Sequence, residues 1–233
     1  MNPSVEVFLL IGQSNMAGRG CLDEVPVLDC PDVLMYRDGR WLPAEEPLHT
    51  DKPELAGVGL GMRFAVEVVE RGGIAPVGLL PCAVGGTPLR RWMPGADLYE
   101  NAVRIAHSAL QGGRLRGILW HQGEADAKTR DDASSYGRRF VEMVQALRTE
   151  LAAEDVPLLA GELGSFLREH PGCDYFETVN RHLRELEGVL GNYAFVSAEG
   201  LGDNGDTLHF HSAALREFGR RYAERFLAYS SER

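Results

Sequence analysis

The sequence predicts an α/β domain built on a parallel sheet with helices on both faces. Three observations point there. Short apolar runs recur along the chain without polar alternation, the pattern of strands buried on both sides. Segments with helical spacing lie between them, and strand–helix alternation builds parallel sheets. Four segments turn glycine-rich or polar just after an apolar run or just before a helix, the kind of sheet edge at which α/β proteins bind ligands.

Taken in order, the first run is Val5–Ile11, which stops at Gly12-Gln13-Ser14-Asn15. From Ala17 to Gly59 the chain reads as loop interrupted by a strand at Val33–Tyr36; it holds Pro26, Pro31, Pro43, Pro47 and Pro53, and loops of this length are often functional. Leu60–Gly72 and Leu98–Gly112 read as helices, each closed by a glycine pair able to take left-handed angles. Pro76–Pro81 and Gly117–His121 read as strands; the first runs into Cys82-Ala83-Val84-Gly85-Gly86-Thr87, the second into Gln122-Gly123-Glu124. Tyr136, Phe140, Val144, Leu147 and Leu151 share a helical face, as do Phe176, Val179, Leu183, Leu186 and Leu190. Between these helices lies a strand at Val156–Gly161, and another follows at Tyr193–Ser197. The polar segment Asp203 to His211 precedes a last helix that begins near Ser212 and carries Leu215, Phe218, Tyr222 and Phe226 on one face. No internal repeat or low-complexity tract is visible, and residues 1–233 read as one domain.

Composition excludes several classes. A net charge of −10 argues against a nucleic-acid partner, which needs a basic face. No stretch approaches the roughly 20 apolar residues of a membrane span. The N-terminal apolar run lacks a basic leader and a small-residue cleavage site, so a cytoplasmic location is the expectation. Cys21, Cys30, Cys82 and Cys173 are widely spaced, without a Cys-x-x-Cys, and form neither a disulfide framework nor a zinc ligand set. Separate thiols are expected, with a Cys21–Cys30 bridge left open. Oligomeric state is not readable.

The four polar segments together hold the parts of a serine hydrolase. Ser14, delivered by the first strand, is the candidate nucleophile; a hydroxyl becomes nucleophilic only when a base takes its proton. His209 is the candidate base, because an imidazole titrates close to neutrality. Asp206 stands at the right spacing to accept from the other ring nitrogen and fix the tautomer. Gly85, with Gly86 beside it, suits an oxyanion hole, since backbone without a Cβ can approach substrate closely. Gln122 offers a side-chain amide as a further donor. Gln13, Gly86, Glu124 and Arg91 are candidates for support or substrate binding; a guanidinium at Arg91 can pair with a substrate carboxylate, and the Trp92 indole can pack on a sugar ring. No metal ligand set or cofactor is called for. Two rival readings remain: a metal-assisted hydrolase using His209, His211, Asp203 and Asp206, and a non-catalytic flavodoxin-like carbohydrate-binding module.

Gly12-Gln13-Ser14-Asn15-Met16, Gly85-Gly86-Thr87 with Trp92, His121-Gln122-Gly123-Glu124 and Asp206-x-x-His209, in this order, resemble the sialate O-acetylesterase and acetyl xylan esterase branch of the SGNH hydrolases. The resemblance covers nearly the whole chain. It implies a three-layer α/β/α, flavodoxin-like fold without a cofactor. It also implies removal of acetyl groups from carbohydrate hydroxyls through an acyl-serine, with Ser14, Asp206 and His209 as triad and Ser14, Gly85 and Gln122 as oxyanion hole. The substrate expected is a small-molecule or oligosaccharide acetyl ester. The superfamily's usual oxyanion Asn is Gln122 here, as in this branch.

Overall fold

The computed structural model of the protein describes residues 4–231. Its seven strands are β1 (Val5–Gly12), β2 (Val33–Arg37), β3 (Arg40–Pro43), β4 (Val77–Pro81), β5 (Gly113–His121), β6 (Leu158–Gly161) and β7 (Tyr193–Val196). They form one sheet in the order β3-β2-β4-β1-β5-β6-β7. Every pairing is parallel except β2 with β3. Six α-helices accompany them: α1 (Ser14–Ala17), α2 (Leu60–Gly72), α3 (Asp97–Ala109), α4 (Arg130–Glu150), α5 (Phe176–Glu185) and α6 (Ser212–Ser231). The expected three-layer α/β/α architecture with a mostly parallel sheet is present.

Central strand β1 explains why the run of apolar residues does not alternate. Val7, Leu9 and Ile11 pack under α3, α4 and α5, while Phe8 and Leu10 pack under α2 and α6. Both faces are dry, so both need apolar side chains, each worth roughly 1.5–3 kcal/mol when fully buried. Phe8 sits edge-on against Phe64 of α2 and Phe226 of α6, with ring centroids 4.9 Å apart in each pair. The helical stripes read from the sequence are the buried faces: Tyr136, Phe140 and Val144 of α4 and Val179 and Leu183 of α5 on one side, Phe218 and Tyr222 of α6 on the other.

Helix ends follow local chemistry. Gly73 takes a left-handed angle (φ 63°) after α2, and its N–H closes on the Val68 and Val69 carbonyls. Thr129 caps α4 through a bond from the Asp132 N–H.

One strand was absent from the sequence reading. Arg40–Pro43 lies inside the stretch read as loop, and it pairs antiparallel with β2. Asp38 and Gly39, with φ of 52° and 77°, make the tight turn between them. An Asp-Gly pair between two runs is a standard hairpin signal. Apart from a short 3-10 turn at Leu22–Glu24, the rest of the long stretch is irregular, and its Asp51 and Lys52 reach the carboxyl edge of the sheet. All four cysteines are free thiols, which closes the Cys21–Cys30 alternative. Among the described residues no helix is long and apolar enough to cross a membrane.

Candidate active site

At the carboxyl edge of the sheet, β1, β4 and β5 end side by side, and the turns leaving them converge. Gly12 ends β1 with φ 133°, and a Cβ there would meet the His121 carbonyl oxygen at 2.1 Å. Only glycine lets the chain turn sharply against β5 at this point. Ser14 follows as the first residue of α1 and is 5% exposed.

The loop before α6 brings the other two groups. His209 Nε2 lies 3.0 Å from Ser14 Oγ. His209 Nδ1 lies 2.6 Å from Asp206 Oδ2. The acceptor on that side assigns the ring proton to Nδ1 and leaves Nε2 free to accept from the serine hydroxyl. The other Asp206 oxygen accepts the backbone N–H groups of Leu208 (2.8 Å) and His209 (2.7 Å). Burial opposes ionisation of the Asp206 carboxyl, but the bonds from the His209 backbone, the His209 ring and Leu208 outweigh it and hold it below its ordinary value. Thr207 sits between acid and base at φ 60°, an angle unfavourable for a β-branched residue. Its N–H bonds Asp203 Oδ2 at 2.7 Å, which holds the strained turn closed.

Asn15 joins the two halves. Its Nδ2 donates to the Leu208 carbonyl at 3.1 Å, and its Oδ1 accepts the Phe210 N–H at 3.1 Å, so one side chain grips the backbone on both sides of His209. Glu124 Oε1 accepts from the same Nδ2 at 2.6 Å and fixes the amide's direction. Glu124 is 2% exposed and lines the cavity beside Ser14. His121 is a buried ring whose pKa is driven down chiefly by desolvation; its Nε2 lies 3.2 Å from the Glu162 carbonyl.

Four expectations are corrected. The Gly85 N–H does not stand open: it donates to Asp51 Oδ2 at 2.7 Å, and that carboxylate is paired with Arg19 at 2.6 Å. Burial works against the charge on Asp51, and the Arg19 and Gly85 bonds more than offset it. The Gln122 amide is fully buried and already engaged, with Nε2 donating to Asp126 Oδ2 at 2.7 Å and to the Thr87 carbonyl at 3.0 Å. Its Oε1 accepts the Tyr136 hydroxyl at 3.0 Å, and Asp126 is held in turn by Arg139. Arg91 points away, paired with Asp97 on the surface. Trp92 is likewise core, stacked edge-on with Trp120 and bonded through Nε1 to Thr87 Oγ1 at 3.1 Å.

Two backbone donors do face the site. Neither the Ser14 N–H nor the Gly86 N–H has an acceptor among the described residues. Gly86, at φ 77°, lines the cavity with Ser14 and His209. That cavity is about 180 Å³. Gln13, Ala125, Cys173 and Leu208 form its inner wall, and Lys52, Lys128 and His170 stand around it. Neither lysine was singled out by the sequence, where an exposed Lys carries no signature.

The metal reading loses its ligand set. Asp203 Oδ2 is taken by the N–H groups of Gly205 and Thr207, and His211 Nδ1 accepts the Ala214 N–H at the start of α6. Among the described residues no group of three or more His, Cys, Asp or Glu side chains converges as an ion would require.

Known proteins share this arrangement of chain. The family model described as carbohydrate esterase, sialic acid-specific acetylesterase matches residues 4–228. A probable carbohydrate esterase of Arabidopsis thaliana is 35% identical, over 97% of this chain and 92% of its own. A crystal structure of an Arabidopsis thaliana protein superposes with a TM-score of 0.88 at 33% identity, covering 97% of this chain and 99% of that one. NanS superposes at 0.82 with 21% identity over the full length of both chains, a likeness of fold. The chain therefore belongs to the sialic acid-specific acetylesterase family of carbohydrate esterases and is a carboxylic ester hydrolase.

Proposed function

We propose that the protein is a serine esterase that removes O-acetyl groups from a carbohydrate through an acetyl-Ser14 intermediate. One observation carries the reading: a continuous line of hydrogen bonds runs from Ser14 Oγ through the His209 ring to Asp206, at 3.0 and 2.6 Å.

In the first half-reaction His209 Nε2 takes the Ser14 proton as Oγ attacks the acetyl carbonyl. The resulting oxyanion is met by the Ser14 and Gly86 N–H groups, which need no rearrangement to receive it. His209 returns its proton to the departing sugar oxygen. A water then enters, gives a proton to the same nitrogen and attacks the acetyl-serine; collapse releases acetate and restores the Ser14 hydroxyl. Asp206 keeps its charge throughout and stabilises the imidazolium that forms twice.

The cavity supports a short acyl group, since about 180 Å³ holds an acetyl and part of one sugar ring. Lys52 and Lys128 beside it, on a chain of net charge −10, favour an acidic sugar such as sialic acid over a neutral one. The test is acetate release from O-acetylated sialic acids, acetylated neutral sugars and an aryl acetate, by wild type and Ser14→Ala. Turnover confined to the wild type is expected, with the acidic sugars preferred. Turnover retained by Ser14→Ala would defeat the mechanism, and equal rates on neutral sugars would defeat the substrate assignment.

A further inference from the structure

We propose that His170 reads the hydroxyl beside the acetyl group of the substrate, accepting its hydrogen at Nε2, and so selects esters that keep a free hydroxyl on the neighbouring carbon. This rests on the serine-esterase reading above.

The tautomer of the His170 ring follows from its partner. Thr207 Oγ1 lies 2.6 Å from the Asp206 carbonyl, which only accepts, so the one hydrogen of that hydroxyl is spent there. His170 Nδ1 lies 3.1 Å from the same Oγ1. With its hydrogen committed, the hydroxyl can only accept in this contact, and the ring must donate. The neutral imidazole then carries its hydrogen at Nδ1 and a lone pair at Nε2. Nε2 makes no hydrogen bond with any described residue. His170 lines the cavity with Ser14 and His209, so the nitrogen left over is the one a ligand can meet.

The segment that carries His170 is fixed before substrate arrives. It runs from a 3-10 turn at Ser165–Arg168, after β6, to the start of α5. Phe166 packs edge-on against Phe210, with ring centroids 4.9 Å apart. The carbonyl of buried Leu167 accepts the His170 N–H at 3.1 Å. Buried Cys173, three residues on, reaches the Glu124 carbonyl with Sγ at 3.6 Å. Thr207 and Phe210 flank Leu208 and His209, so the segment grips the loop of the proposed base at two points. A ring held this way costs little ordering when a ligand binds it.

The chemistry of the cavity says what this nitrogen receives. The cations on its wall, Arg19, Lys52 and Lys128, only donate, and they suit a carboxylate. A sugar hydroxyl also carries a hydrogen, and that hydrogen needs an acceptor. Ser14 and His209 are committed to each other. Glu124 Oε1 is held by Asn15, and its Oε2 is buried away from solvent. His170 Nε2, equally without a partner, stays accessible, so it is the side-chain acceptor a ligand can reach. A cavity of about 180 Å³ takes the acetyl group and part of one ring, which places the hydroxyl next to the ester within reach. The substrate class is therefore a polyol acetate with a free vicinal hydroxyl.

The experiment compares a sialic acid acetylated on its terminal hydroxyl with the same ester lacking the neighbouring hydroxyl, in wild type, His170→Phe and His170→Ala. An aryl acetate serves as the ester without any such hydroxyl. Wild type should favour the hydroxylated ester in kcat/KM by about 10-fold, the effect of one hydrogen bond. Both variants should lose that preference and hydrolyse the two sugar esters equally well. The ratio within one protein cancels any general loss transmitted through Thr207. A role confined to holding that turn would lower all three esters and leave the preference intact, and that result would overturn the inference. Wild type indifferent to the missing hydroxyl would overturn it too, with no variant needed. If a neutral sugar acetate is turned over faster, that ester and its deoxy counterpart replace the pair. Turnover by Ser14→Ala, or turnover of the aryl acetate with every sugar ester refused, would instead sink the esterase reading and the inference with it.

Discussion

The proposed nucleophile and its proposed base are held by different means. Ser14 stands just past the end of a central strand flanked by two parallel neighbours, with its backbone fixed by the sheet. His209 and Asp206 stand on a loop whose carboxylate side chain is 44% exposed and whose shape depends on a few side-chain bonds. The sheet is redundant, so losing one contact near Ser14 leaves many. The loop is not, and Asn15 and Glu124 are what transmit the sheet's rigidity to it. The geometry of the site thus rests on unequal foundations, and damage should be unequal too.

The largest effect is expected at the proposed nucleophile. Ser14→Ala should lower kcat by about 10⁴–10⁶-fold, with thermal stability close to wild type, because a small buried hydroxyl is exchanged for a methyl at a position the sheet defines. Steady-state assays beside a melting curve check both halves. Next is Asp206→Asn, for which a loss of about 10⁴-fold is expected, since an amide can hold the imidazole in the wrong tautomer.

Asn15→Ala breaks the comparison most directly. Nothing on the reacting atoms is removed, yet the grip on Leu208 and Phe210 is lost and His209 can drift. A drift of about 1 Å corresponds to roughly 10²-fold in kcat. Glu124→Gln should do less, as an amide oxygen can still accept from Asn15. If Asn15→Ala kept full activity, the loop would be self-supporting and the contrast drawn here would fail.

Acid should also separate the two regions. His49, buried beside Asp51 and Arg19 under the Ser14 side of the site, has its pKa pushed down to about 4, chiefly by desolvation. The unfolded chain, with an ordinary imidazole near 6.5, binds the proton first. Stability from this group is therefore full above about pH 6.5 and is lost as pH falls toward 4, to a total of ~3 kcal/mol. Asp206 acts lower: its depressed pKa contributes above the ordinary carboxylate value and fades only as pH drops through the folded value. Melting temperature against pH should decline between 6.5 and 4, and His49→Gln should flatten that slope. An unchanged slope in the variant would remove His49 as the cause.

The smallest effect is expected at the rim. Lys52→Ala and Lys128→Ala should raise KM for an O-acetylated acidic sugar by a few-fold, diminishing with salt, and leave an aryl acetate unaffected. Equal loss on both esters would assign the lysines to structure.

Much of this was readable from residues alone. The sheet, the helices and the Ser14, His209 and Asp206 positions follow from apolar runs that end in polar turns, because a buried strand leaves a plain trace. What could not be read was occupancy. Gly85 and Gln122 look like open donors until Asp51 and Asp126 arrive from distant segments to take them. Those two carboxylates carry no periodicity and no motif of their own, and neither does the Asn15 bond to residues almost two hundred positions away. Arg91 looks free for a substrate in the sequence, but Asp97, six positions on, takes its guanidinium in the fold. The hairpin strand β3 leaves its signal in Asp38-Gly39, but it is short and the prolines around it read as loop.

The most direct measurement is labelling by an active-site-directed fluorophosphonate, read by peptide mass spectrometry in wild type and His209→Ala. One label per chain on Ser14 is expected in the wild type, with little in the variant, because the hydroxyl reacts only when its proton has somewhere to go. Wild-type protein that hydrolyses the ester yet leaves Ser14 unmodified, or that reacts equally well without His209, would contradict the proposed pairing.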